Sequence, residues 1–170
     1  MLLFAHKWFT TVMARVTLVA CIAVTVWACQ PTINNGTVKI NKEILQQWQG
    51  DLPVSSLVLL PPESHQAGAG YINNTALLKT IWPHFQPDID IPNIDFKQNI
   101  IVYHYNTQFF NRNRIFRVEV SSGVVEVLAM ETLSAMPIED NVAFAMAVIA
   151  RGGINSIKTR DGLLKLQKLD

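Results

Sequence analysis

From Asn99 to Leu166 the sequence is a succession of short β-forming runs, each closed by a turn signal, and this limits the fold more than any other feature. Asn99 to Tyr105 contains Ile100-Ile101-Val102, apolar on both faces, as a central strand must be. Ile115 to Val120 alternates, which assigns Phe116, Val118 and Val120 to one face and Arg117 and Glu119 to the other. Ser121-Ser122-Gly123 then turns the chain into a strand over 124–130. Phe144, Met146, Val148 and Ala150 alternate with small residues in a further strand. Gly152-Gly153 leads into a strand over 154–159, and Asp161-Gly162 into another over 163–166. Turns this short join antiparallel neighbours, because a parallel pair needs a long crossover.

The stretch before Asn99 reads differently. Residues 41–49 have Ile44, Leu45 and Trp48 at helical spacing, with Gly50 to end the helix. Val54 to Leu60 reads as a buried strand closed by Pro61-Pro62, and Glu63 to Gly70 as a loop. Asn74 is placed to cap a helix from Thr75 to about Trp82, with Leu77, Leu78, Ile81 and Trp82 on one face and Pro83 to stop it. Gln86 to Asn93, with two prolines, is an extended linker. The expected class is α+β: an antiparallel β meander or small sandwich with two short N-terminal helices, as a single domain over 41–170.

The chain opens with a different kind of segment. His6, Lys7 and Arg15 precede an uncharged apolar run over residues 16–29. That is a positive region followed by an apolar core of signal-peptide length. It falls short of the about 20 apolar residues that cross the hydrocarbon comfortably. Residues 1–28 are therefore read as a signal peptide and 29–40 as a tether, with an uncleaved anchor drawing on residues 8–14 as the competing reading.

The run ends in Val26-Trp27-Ala28-Cys29, which resembles the lipobox of bacterial lipoproteins. The resemblance implies diacylation of Cys29, removal of the peptide before it, and a membrane anchor facing the periplasm of a bacterial envelope. Gln30 after the cysteine matches, by analogy with enterobacterial sorting, the outer membrane. Trp27 is bulkier than the usual residue at its position. Val26 and Ala28 would also suit ordinary signal peptidase, so Cys29 is either the lipid attachment residue or simply the residue after the cut. The polar, turn-rich stretch Gln30 to Thr37 suits a tether.

Composition then removes several functional classes. Beyond residue 28 the chain carries twelve Lys/Arg against thirteen Asp/Glu, a formal charge of −1. A near-neutral domain has no field with which to gather phosphates, so nucleic acid is not an expected partner. Cys21 and Cys29 are its two cysteines, which leaves the domain no disulfide and no cysteine-based zinc site.

No catalytic constellation stands out, and no cofactor motif. His84, Asp88 and Asp90 lie close in sequence, but among the prolines at 83, 87 and 92, so no metal site is expected. Gly68-Ala69-Gly70 lacks the lysine of a phosphate loop, and no serine sits in a hydrolase elbow. His65 and His104 are the histidines around which an enzyme could be assembled across distant segments. The more suggestive stretch is Phe109-Phe110-Asn111-Arg112-Asn113-Arg114, between two strands, where aromatic anchors sit beside planar donors. Those residue types are enriched at recognition sites.

A looser likeness covers about residues 75–160. A tryptophan-ending helix, Asp95-Phe96, the strand through Ile100-Ile101-Val102, a hairpin and final strands together resemble the small β-domain of protease-associated bacterial lipoproteins. It implies a non-enzymatic accessory role. The chain departs from that pattern at Asn111 to Arg114, where the family carries a glycine-rich turn. The expected function is a lipid-anchored periplasmic module that contacts an envelope protein through residues 109–114. An envelope hydrolase built on His65 or His104, and a structural envelope lipoprotein, are the alternatives.

Overall fold

The computed structural model describes residues 38–62, 68–106, 112–132 and 140–167. The expected signal segment, Cys29, His65, and Phe109, Phe110 and Asn111 lie outside these residues. Nine strands run in the order β1 (Ile40–Lys42), β2 (Gln46–Pro53), β3 (Ala69–Ile72), β4 (Asn99–Tyr105), β5 (Asn113–Ser121), β6 (Val124–Glu131), β7 (Asn141–Ala150), β8 (Ser156–Thr159) and β9 (Gly162–Lys165). A 3-10 helix, Val54–Leu59, and one α-helix, α1 (Thr75–Phe85), precede most of them. Among the described residues no helix is long and apolar enough to cross a membrane.

The strands form two sheets, a five-stranded one ordered β1-β5-β6-β8-β9 and a four-stranded one ordered β2-β7-β4-β3. The expected α+β class with a small sandwich is what the chain adopts. The four-stranded sheet is covered on both faces, and its side chains divide by parity. Ile101, Tyr103, Phe144, Met146 and Val148 pack with Leu78, Ile81, Trp82 and Phe85 of α1. Ile100, Val102, Ala145, Ala147 and Ile149 pack with Ile115, Val118, Val125 and Ile157 of the other sheet. This double burial explains why the middle of β4 and nearly all of β7 are apolar. Ala145 and Ala147 are small where sheet meets sheet, and Phe144 and Met146 are large where the helix leaves more room.

The cap at Asn74 forms as expected, its side chain accepting from the Leu77 N–H at 2.8 Å. Pro83 does not stop the helix, which continues to Phe85. Phe85 is 3% exposed, and its ring lies edge-on to both Trp82 and Phe144. Burying a side chain of that size is worth about 1.5–3 kcal/mol, which offsets part of the cost of carrying proline through the last turn.

The N-terminal part departs most from expectation. Residues 41–49 are not a helix; β2 pairs antiparallel along the length of β7, from Gln46 opposite Val148 to Pro53 opposite Asn141. Trp48 and Leu52 then share a strand face against the helix-side core, and a Cβ on Gly50 between them would sit 2.8 Å from the Gln86 amide. Val54 to Leu60 is the 3-10 helix rather than a strand, and Ala69 and Gly70 belong to β3 rather than to a loop. The end of the expected tether is already in the sheet: Ile40 pairs with Val120, and the Lys39 ammonium lies 2.9 Å from the Glu119 carboxylate.

From β4 onward the expected strands are all present. The hairpin between β5 and β6 turns through Ser122 and Gly123, both at positive φ, 50° and 80°. Two details differ. The β5–β6 register shifts between Ile115 and Arg117, a bulge that leaves Phe116 half exposed while Ile115, Val118 and Val120 turn inward. And β8 returns parallel to β6, not antiparallel, over Val124–Glu126 and Ser156–Lys158.

Candidate functional site

The chain passes between the sheets four times, and two of these connections, β4 to β5 and β6 back to β7, belong together. Their roots lie at one end of the sandwich. Asn113, which opens β5, is paired with Glu131, which closes β6. The Thr132 N–H donates to the Arg112 carbonyl at 3.2 Å, and the Asn106 N–H to the Ala143 carbonyl at 3.4 Å. The side-chain amide of Asn106 reaches the Glu131 carboxylate at 2.9 Å. The β4–β5 connection, which carries Phe109 and Phe110, and the β6–β7 connection are thus rooted together.

Beneath these roots lies a polar cluster inside an otherwise apolar interface. Asn113 is 2% exposed. Its amide nitrogen donates to the backbone carbonyls of His104 at 2.9 Å and Ala143 at 3.3 Å, tying β5 of one sheet to β4 and β7 of the other. The same nitrogen lies 3.0 Å from His104 Nδ1, and the Glu131 carboxylate lies 3.4 Å from that ring nitrogen. Burial pushes the His104 imidazole below its usual 6.5, against the opposing pull of Glu131 and of Asn113. The neutral ring with its proton on Nε2 fits the shorter of the two contacts, since Nδ1 can then share the two amide hydrogens of Asn113 with the two carbonyls. Asn113 Oδ1 is buried without a partner among the described residues.

The cluster corrects the expectation for Asn113, whose side chain is structural: it faces inward and holds the two sheets in register. Arg112 and Arg114, by contrast, are exposed, and among the described residues neither joins an ion pair. Arg114 stands opposite Met130, which is 60% exposed, and Phe116 in the bulge is 50% exposed with the Arg117 guanidinium 5.7 Å from its ring centre. An arginine pair, an aromatic ring and a methionine therefore share the solvent side of β5 and β6 beside the loop roots.

His104 also lines a hollow of about 200 Å³ with Lys158, Thr159 and Arg160. The hollow opens where β8 ends at Thr159 while β6 runs on to Glu131. Among the described residues no serine or threonine hydroxyl is hydrogen-bonded to His104. His84, Asp88 and Asp90 are exposed, and among the described residues no group of three or more His, Cys, Asp or Glu is placed to hold a metal. Residue spacing gave no signal for the cluster: Asn106, Asn113 and Glu131 meet His104 only through strand register.

No protein-family description, curated protein or solved structure matches the chain.

Proposed function

We propose that the protein is a lipid-anchored periplasmic binding or accessory module that engages an envelope protein through the end of the sandwich where the β4–β5 and β6–β7 connections are rooted. The observation that supports this reading is the pair of exposed arginines, Arg112 and Arg114, which join no ion pair among the described residues and are set beside exposed Phe116 and Met130. Arginine, methionine and aromatic residues are the types enriched in protein interfaces. The rigid part of such a surface is supplied by Asn113, which fixes the root of the Phe109–Arg114 stretch from inside. Lipid on Cys29, the anchoring residue in this reading, would confine the module to a membrane surface.

The test is crosslinking of the tagged protein in intact bacterial cells, followed by identification of what co-purifies in detergent, beside a Cys29→Ser control. One stoichiometric partner, reduced or lost in the control, supports an anchored accessory subunit. Equal capture by the control would remove the anchor from the proposal.

A second reading, an envelope enzyme built on His104, is favoured by one observation: the Glu131 carboxylate beside a histidine that borders a hollow. A buried neutral imidazole next to a carboxylate is the arrangement of an oriented base. The readings separate on His104→Gln, which would abolish any hydrolytic turnover while leaving partner capture intact.

A further inference from the structure

A second concavity, of about 410 Å³, lies between the start of α1 and the β8–β9 hairpin and shares only Thr159 with the hollow beside His104. Tyr71, Leu77 and Leu164 form its apolar part, and Asn73, Asp161 and Lys165 its polar part.

Hydrogen bonding fixes which way Asn73 presents its amide. The Leu77 N–H needs an acceptor, so Asn74 gives it Oδ1 at 2.8 Å and has only its amide nitrogen left to offer. That nitrogen donates to Asn73 Oδ1 at 3.0 Å. Asn73, 6% exposed, is left with an amide nitrogen that has no acceptor among the described residues and that borders the groove. The residue is nearly buried, but that nitrogen is not itself sealed from solvent, so it can meet an acceptor atom that enters the groove. The first N–H groups of α1, on Thr75 and Ala76, also lack intrahelical acceptors, and the first turn contains no acidic residue.

The groove is dipolar along its length. Ala69 borders the hollow that also holds Thr159 and Arg160, at the turn end of the hairpin. Tyr71, two residues on, donates its hydroxyl to the Lys165 carbonyl at 3.0 Å and accepts from the Gln167 N–H at 3.0 Å. β3 therefore runs beside the hairpin from the turn towards Lys165, and Asn73 follows at the Lys165 end. Asp161 lies at the other, separated by the three-residue step from Gly162 to Lys165, which spans roughly 10 Å in a strand. One end offers an amide donor, a lysine and a helix N-terminus, the other a carboxylate, and edge strand β9 forms the wall between them.

We propose that this groove binds a short extended peptide with free termini, its carboxylate held at Asn73 and its amino group at Asp161. About three residues match the span, and a peptide lying along an edge strand adds backbone hydrogen bonds to the contacts at its ends. A phosphate would meet the donors but leave Asp161 opposing it, which favours a zwitterion over a simple anion.

The experiment is a nuclear magnetic resonance titration of the full-length, nitrogen-15-labelled protein in detergent with trialanine, trialanine amide, N-acetyl-trialanine and inorganic phosphate. Trialanine is expected to shift the Asn73 side-chain amide, the Thr75 and Ala76 N–H groups and Leu163 to Lys165 together. The amide and N-acetyl forms are each expected to bind about tenfold more weakly. Asn73→Asp keeps the acceptor for Asn74, and a carboxylate at a helix start favours the fold, yet it replaces the free donor with a negative charge. It should lower trialanine affinity about tenfold or more. Should that variant fail to fold, the comparison of the three peptides on the unaltered protein decides the matter. Absence of shifts with trialanine, equal binding of the amide form, or shifts with phosphate but not peptide would each overturn the proposal.

Discussion

Asn113 of the five-stranded sheet donates to the His104 carbonyl of the four-stranded sheet, 2.9 Å away, and its second contact, to the Ala143 carbonyl, binds the neighbouring strand as well. One amide thereby holds three strands from two sheets at the end where the β4–β5 and β6–β7 connections are rooted. Asn113 itself is 2% exposed, which limits the access of water to these bonds.

Replacing this amide should therefore be costly out of proportion to its size. Asn113→Ala removes both bonds between the sheets and is expected to destabilise the protein by about 1–3 kcal/mol, read from the urea midpoint. Asn113→Asp should be worse, since it aims a carboxylate at the same two carbonyls. A loss below a few tenths of a kcal/mol for Asn113→Ala would show that the tie between sheets is not energetically significant.

His104 makes stability depend on pH with a definite sign. Burial holds its native pKa below the 6.5 of the free side chain, so the unfolded chain binds the proton more tightly. Its contribution is complete above 6.5 and is lost as pH falls through 6.5 towards the depressed native value. Urea midpoints taken between about pH 8 and pH 5 should fall on acidification, and His104→Gln should flatten that slope. A slope unchanged by the substitution would assign it to other groups.

Gly70 is required by its neighbour across β3 and β4. A Cβ there would overlap the Tyr103 ring, with even the ring carbon Cε2 only 2.9 Å away. Gly70→Ala should cost roughly 1–3 kcal/mol, seen as a lowered thermal midpoint. Tyr103→Phe should not relieve it, because the ring carbons as well as the hydroxyl stand in the way.

The sequence was most legible where one structural rule acts alone. β4 to β9 are marked by apolar runs and by turns such as Ser122-Gly123, whose positive φ values suit the hairpin. β2 was hidden because Gln46, Gln47 and Gln49 suit a helix as well as a strand; only pairing with β7 decides between them. β3 was hidden by Gly70, a residue that breaks strands until Tyr103 covers it. The exposure of Phe116 follows from a bulge, and bulges leave no periodic mark. Of the site, His104 and the arginines could be named from residue type alone. Asn113 reads as one more polar loop residue until the register buries its side chain between the sheets.

The central claim is that the loop-bearing end captures an envelope protein, and the most direct measurement is crosslinked partner yield from cells carrying Arg112→Glu with Arg114→Glu. Both side chains are exposed and unpaired among the described residues, so the double variant should fold with an unchanged thermal midpoint. The account predicts that partner capture falls to background. Capture at the level of the unaltered protein would contradict it and move the functional surface away from this end.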